Sequence, residues 1–347
     1  VGSEMCIRDR RRDIATFGEI LMRLSPPGKL RLQQAHSFDL FYGGAEANVA
    51  IALANFGLPV QYITRLPENE LGMSCLLSLR QHGVGCDFIE YGGNRLGLYF
   101  LEAGTGNRPS QVIYDRQNSA FATIAETTFR WEEIFAQVGW FHWSGICPAL
   151  SAGLAQVTDH AVTAAREAGL IISCDLNYRH SLWQWGQAAS AVMPRLVEQC
   201  DVLMANSAHL MLGVPNLPVG KNVEEAVETC AKLSNVYPNL KQIAMTCRET
   251  VSTAEQHFTA VLWQEGHVHT SPTFSVSNVV DRTGVGDAFM AGLIYGLETF
   301  DDDFQRVVSF AAASAVIKHT IVGDANLVTL DEVQRLLGSR IGFDIIR

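Results

Sequence analysis

The residues with the clearest chemical potential lie late in the chain, in the stretch Asp281–Phe289, DRTGVGDAF, which runs straight into the apolar segment MAGLIYGL. The first N–H groups of a helix lack intrahelical partners and stand at the positive end of its dipole, so a glycine turn there makes an anion site. Gly284 and Gly286 let the backbone approach an anion with no Cβ in the way. Asp287 then stands beside a bound phosphate, an odd place for a carboxylate unless it takes a proton from an attacking hydroxyl. The alternative is a helix cap, a role that Asp fills well. A second glycine element, FYGGAEANVAIALANFG, sets Gly43 and Gly44 ahead of a helix carrying the small residues Ala47, Ala50 and Ala54. Bare backbone there can hydrogen-bond a polyol, with Asn48 directed into the same cleft. Glycine before an alanine-rich helix also serves close packing alone.

Other fingerprints are missing. Gly28-Lys29 and Gly220-Lys221 are followed by Leu and Asn rather than a hydroxyl residue, so neither is a Walker-type phosphate loop. Gly284-Val285-Gly286 continues to Phe289 where a dinucleotide loop wants Gly or Ala. Neither HExxH nor GxSxG occurs.

The elements that must position these residues alternate short apolar strands with amphipathic helices, the pattern of βαβ units and a mostly parallel sheet. Strands are expected in DIATFGEIL, VQYITRL, GWFHWSG, LIISCDLN, DVLMAN, KQIAMT and FTAVLW. Helices are expected over Ala47–Phe56, Glu70–His82, Ser151–Ala168, Ala188–Glu198, Val223–Ser234, Asp287–Glu298, Asp301–Lys318 and Thr329–Leu337. Pro27–Tyr42 and Gly92–Asn118 break that rhythm and alternate like exposed strands, so they are read as one small antiparallel sheet projecting from the core. No linker separates two domains, and residues 13–338 read as one unit, preceded by a leader over 1–12 without periodicity.

Composition narrows the function. The 347 residues are 48% hydrophobic and 18% charged, values of a globular chain, and the net charge of −10 argues against a nucleic-acid surface. The eight cysteines form no CxxC pair or zinc spacing and read as free thiols of a cytoplasmic protein. No apolar run is long enough to span a membrane.

Together, GGAEANVAIALANFG early and DRTGVGDAFMAGL late resemble the two signature regions of the ribokinase-like, PfkB-type carbohydrate kinases, over essentially Ile14 to Leu337. The resemblance implies a three-layer α/β fold, a central mostly parallel sheet flanked by helices with a small β-sheet lid, and ATP and Mg²⁺ as cosubstrates. Within that family GGAEAN, Tyr114 and Arg116 of VIYDRQNSAF, Asp175, Asn177 and Arg179 of CDLNYRHSLW, and KHTIVGDANLV with its Asp324 resemble 2-keto-3-deoxygluconate kinases. A sugar acid asks for a guanidinium that can grip its carboxylate, and Arg116 beside Tyr114 and Tyr99 fits that need unless it is only a solvated strand residue.

On this resemblance Asp287 is the base, Gly284, Val285 and Gly286 form the catalytic turn with it, and the N–H groups of Val285, Gly286 and Asp287 hold the developing charge. Gly43, Gly44, Asn48, Tyr99, Tyr114, Arg116 and Asp324 bind the sugar acid; Asn177, Arg179, Asn206, Thr246 and Arg248 meet the nucleotide. Adenine is expected between a Met245–Ser252 loop and the helix over Ala311–Lys318. Asp281 and Thr283 match the positions that bind a monovalent cation such as K⁺ in some members. One departure is His209, where the family often has a Glu that helps hold Mg²⁺. Exposed lid edges suggest a homodimer or a higher homo-oligomer through the lid.

Overall fold

The computed structural model describes residues 13–251 and 255–338. The leader expected over residues 1–12 and Ser252 of the expected Met245–Ser252 loop lie outside the described residues. The strands are β1 (Asp13–Phe17), β2 (Leu21–Ser25), β3 (Asp39–Gly43), β4 (Val60–Leu66), β5 (Ile89–Tyr91), β6 (Leu98–Glu102), β7 (Gln111–Asp115), β8 (Val138–Ser144), β9 (Ile171–Asp175), β10 (Val202–Met204), β11 (Gln242–Thr250), β12 (Glu255–Gln264), β13 (His267–Thr270) and β14 (Phe274–Ser277). The helices are α1 (Ala45–Asn55), α2 (Glu70–Gln81), α3 (Trp131–Phe135), α4 (Ile146–Leu150), α5 (Ala152–Glu167), α6 (Ala189–Val197), α7 (Ala208–Met211), α8 (Val223–Val236), α9 (Val285–Thr299), α10 (Phe304–Lys318) and α11 (Leu330–Gly338).

The large sheet runs β13-β12-β11-β10-β9-β8-β1-β4-β5, with β14 also on β12. It is parallel from β5 to β11 and antiparallel beyond. Side chains alternate across it. Ile14, Tyr62 and Met204 join the core beneath α1, α9 and α10, whereas Ala15, Phe17, Ile63 and Leu203 join the core beneath α5, α6 and α8. Two apolar cores on one sheet make three layers. The expected strands and helices are present, with α9 starting two residues early at Val285 and α10 three residues late, behind the Asp303 cap. Six elements went unforeseen: the short helices α3, α4 and α7, and the strands β5, β13 and β14, each too brief for a periodic signal.

Two expectations need correction. DIATFGEIL is not one strand: β1 ends at Phe17, and Leu21–Ser25 becomes β2 of the small sheet. The chain turns out at Gly18, where a Cβ would lie 2.0 Å from the buried Glu46 Oε2. The small sheet, β3-β2-β6-β7, is therefore mixed rather than antiparallel, because β2 pairs with β6 in parallel. Likewise Met245–Thr250 is strand, not loop: β11 continues through Thr246 and Arg248 opposite Ala260 and Phe258 of β12.

The α9 helix is set by close approach. A Cβ on Gly292 would stand 2.8 Å from Ala311 Cα and one on Gly296 3.0 Å from Val307 Cγ1, so α10 lies directly against it. Ser314 Oγ donates to Ala288 O at 3.1 Å across the same seam. Ala311, Ala312, Ala313 and Ala315 are fully buried there, and of the expected Ala311–Lys318 stretch only Val316 and Ile317 are partly exposed.

Candidate active site

A cleft of ≈1510 Å³ opens between the small sheet, the residues that follow the C-terminal ends of β1, β9 and β10, and the C-terminal half of β11. That is the end of an open α/β sheet where ligands bind, and the volume exceeds the several hundred Å³ of a single-ligand pocket, so two ligands can lie side by side. Every residue that the sequence singled out for catalysis, substrate, nucleotide or cation lines it.

Asp287 is 9% exposed and sits in the first turn of α9. The N-cap is Gly284, in the left-handed region at φ 77, so Asp287 is not the cap. The first intrahelical bond runs from Ala288 N to Gly284 O at 2.8 Å, which leaves the N–H groups of Val285, Gly286 and Asp287 without an intrahelical acceptor. Asn48 Nδ2, from α1, donates to Asp287 Oδ2 at 2.7 Å and fixes the carboxylate across the cleft. Burial pushes the Asp287 carboxyl up to about 7; the Asn48 bond and Arg179 oppose the shift, while Asp175 and Asp324 add to it. A carboxyl that titrates near neutrality beside free N–H donors suits proton transfer next to an anion.

Two further buried carboxyls share this floor and were not chosen from the sequence. Asp175, at the end of β9, is pushed by burial up to about 6 and accepts from Asn177 N at 3.0 Å. Glu46, in α1, is pushed by burial up to about 7. Both sit in quoted motifs, but spacing alone does not say which acids face inward.

The glycines have steric reasons. A Cβ at Gly43 would lie 2.3 Å from Asp324 Oδ1, at Gly44 2.1 Å from Glu19 O, and at Gly284 2.1 Å from Asp324 O. The missing side chains let β3, the turn after β1 and the late loop meet beneath the cleft. Tyr99 OH donates to Asp324 Oδ1 there.

The small sheet is tied to this floor by charge. Arg23 of β2, 3% exposed, reaches Asp281 Oδ2 at 2.8 Å and Asp324 Oδ2 at 2.9 Å. Burial raises Asp281, but Arg23 and the Thr283 N–H outweigh it and hold the carboxyl below its ordinary value. Asp281 is fully engaged, since Oδ1 accepts from Thr283 N at 2.9 Å and Oδ2 also accepts from Gly323 N at 3.1 Å.

Arg116 follows β7 rather than lying on it, and it is 8% exposed, not solvated. Its Nε donates to Glu19 Oε2 at 2.8 Å with Nη2 on the same oxygen, so Nη1 is the edge left toward the cleft. Ser119 Oγ completes the Glu19 carboxylate. Tyr114 lies under the guanidinium, 5.7 Å from its ring centroid.

On the other side, Arg179, Arg248, Arg282 and Lys221 line the cleft, and none of them has a carboxylate within ion-pair distance among the described residues. Arg282 and Arg179 act on Arg248 and help lower its pKa, after burial. Converging, unpaired cations mark a polyanion site. Asn206 is committed to the scaffold: its Nδ2 donates to Thr246 O at 2.8 Å, and its Oδ1 accepts from Thr246 N at 3.0 Å. His209 Nδ1 is buried without a hydrogen-bond partner, and the residue is outside the cleft lining. No group of three or more His, Cys, Asp or Glu among the described residues can hold a metal ion.

The chain is similar to several known proteins. The model of the pfkB family of carbohydrate kinases matches residues 11–329. A 2-dehydro-3-deoxygalactonokinase of Haloferax volcanii is 33% identical over 336 residues, covering 96% of this chain and 99% of its own. The crystal structure of 2-dehydro-3-deoxygluconokinase from Thermotoga maritima superposes with a TM-score of 0.88 at 39% identity, covering 94% of this chain and all of that one. A fructokinase-1 of Oryza sativa subsp. japonica is 26% identical, over 94% of this chain and 98% of its own.

Proposed function

Since the chain belongs to the PfkB family of carbohydrate kinases, we propose that it transfers the γ-phosphoryl group of ATP to the 6-hydroxyl of 2-keto-3-deoxygluconate, giving 2-keto-3-deoxy-6-phosphogluconate. The observation that carries the chemistry is Asp287, held by Asn48 at the α9 N-terminus with a carboxyl pushed up to about 7. Asp287 accepts the proton of the 6-hydroxyl as that oxygen forms its bond to the γ-phosphorus and the bond to the β,γ-bridging oxygen breaks. The N–H groups of Val285, Gly286 and Asp287 face the developing charge, a fixed array that needs no reorganisation. The triphosphate lies along Arg179, Arg248, Arg282 and Lys221, with the base toward Gln256, Val276 and Val279 at the same end of the cleft. Mg²⁺ arrives with ATP, carried by its phosphates and water.

Substrate lies under the small sheet, which acts as a lid, on Gly43, Gly44, Tyr99 and Tyr114. Its carboxylate meets the free Nη1 edge of Arg116, a charged donor that binds a carboxylate more strongly than the hydroxyls of a neutral sugar. The sugar-acid names borne by the Haloferax and Thermotoga relatives support the same choice. The exposed Leu40, Val112 and Ile113 of the small sheet support pairing of two copies through the lid. The unpaired thiols of the described cysteines suit the cytoplasm, and no helix among the described residues is long and apolar enough to cross a membrane.

The test is an Arg116→Met/Glu19→Gln enzyme, which removes both charges of the buried pair so that neither is stranded. The KM for the keto acid should rise by roughly 10–100-fold while the KM for Mg-ATP stays within about 2-fold. An unchanged keto-acid KM would discard Arg116 as the carboxylate clamp.

A further inference from the structure

Lys318, the last residue of α10, is 0% exposed and outside the cleft. Lysine is almost never buried to that extent without a partner for its charge. Here Nζ donates to two backbone carbonyls, Gly323 O at 2.9 Å and Ile321 O at 3.1 Å. Its stem runs beneath Gly284, where a Cβ would stand 3.4 Å from Lys318 Cε. Burial lowers the pKa of the ammonium, and the carboxylates of Asp281 and Asp324 act on it in the opposite sense.

The resemblance assigns Asp281, Thr283 and nearby backbone oxygens to a monovalent cation in some family members, and the residues present do not fit one. Both Asp281 oxygens are spoken for by Thr283 N, Gly323 N and Arg23. The carbonyls of Ile321 and Gly323 are turned to Lys318 Nζ. The cluster is also balanced: two carboxylates, Asp281 and Asp324, face two attached cations, Arg23 and Lys318. An alkali ion added to it would leave a net positive charge buried, which is costly.

We propose that the Lys318 ammonium, with Arg23, is a permanently attached cation behind the α9 N-terminus, and that it makes this kinase independent of added K⁺ or Na⁺. Lys318 touches neither substrate nor the reacting atoms. It is a positioning residue: it fixes the 321–323 loop against Gly284 and so the direction of the free N–H groups at Val285, Gly286 and Asp287. Loss of the ammonium leaves two carbonyls without a donor and one net negative charge behind an anion site, and that vacancy is the right size and chemistry for a small monovalent ion.

The activity arm of the test rests on the kinase reading; the melting arm does not, so the two can fail separately. Wild-type protein dialysed into tetramethylammonium chloride is compared with the same protein in KCl and NaCl at equal ionic strength. The expected result is a melting temperature independent of the cation and a kcat within about 2-fold across the salts. Activation of the wild type by roughly 10-fold or more in K⁺, or a saturable K⁺-dependent rise in its melting temperature, overturns the proposal. In Lys318→Met, and in the milder Lys318→Gln, melting should fall in tetramethylammonium and recover in a saturable way with K⁺ or NH₄⁺, with kcat recovering more than KM. Variants that melt and turn over like the wild type in every salt also overturn it, and the wild-type comparison decides the matter if neither variant folds.

Discussion

Asp287→Asn should move activity and stability in opposite directions, and the size of the second effect follows from burial. The folded carboxyl titrates at about 7, against roughly 3.9 for an unfolded aspartate. A group whose pKa is raised by folding contributes stability that is full below the unfolded value and is lost as the pH rises through the folded value. Roughly three units at about 1.36 kcal/mol each put the cost of an ionised Asp287 on the order of 4 kcal/mol at pH 8. Asparagine removes that cost and keeps an oxygen for Asn48 Nδ2, so the hydrogen bond at 2.7 Å has no reason to break. The melting temperatures of the two proteins should therefore coincide near pH 4, separate between pH 4 and 7, and above pH 8 leave the variant more stable by several degrees. Over the same range kcat should fall by about 10²–10⁴-fold, the usual loss for one proton acceptor. Melting monitored by circular dichroism at pH 4.5, 6, 7 and 8.5, with kcat at pH 8, decides it. A variant less stable than wild type at pH 8.5, or a difference that does not change with pH, would refute the buried-carboxyl argument; near-normal kcat would refute the base.

Other outcomes follow from the same geometry. Because the base works deprotonated, kcat/KM for the sugar should rise with pH through about 7 and then level, as measured by a pH–rate profile in buffers of constant ionic strength. Gly284→Ala must place a Cβ 2.1 Å from the Asp324 carbonyl at φ 77, so urea unfolding should show a loss of at least about 1–3 kcal/mol, with kcat falling further than the KM for ATP rises. Arg23→Met strands Asp281 and Asp324 in the interior, and chemical denaturation should report a loss of about 3–5 kcal/mol.

The sequence made some of this legible because certain features need only local spacing. The glycine-acid turn before α9 and the glycine pair before α1 could be read as the two walls of a cleft, since each depends on residues adjacent in the chain. Asp287 and Asn48 are 239 positions apart, and that they share a hydrogen bond could be expected only through the family resemblance. What stayed hidden was pairing. Nothing in Glu19 or Arg116 announces that they pair with one another, nor that Arg23, two residues beyond the expected strand DIATFGEIL, lies in the small sheet and closes on Asp281 and Asp324. The break at Gly18 that sends β2 into the small sheet rests on a clash with Glu46, a tertiary contact without periodicity. Lys318 closes an ordinary amphipathic helix, and only its burial sets it apart. The Met245–Thr250 segment read as part of a loop because the family resemblance places a loop after this strand, whereas pairing with β12 holds it as strand.

The central claim is tested most directly by ADP release from purified protein with Mg-ATP against 2-keto-3-deoxygluconate, its galactonate epimer, fructose, ribose and adenosine. The account predicts turnover on the keto-deoxy sugar acid, with kcat/KM above that for any neutral sugar by about 100-fold or more, in line with a lost charged contact. Preference for fructose or ribose, or no ADP release with any acceptor, would contradict it.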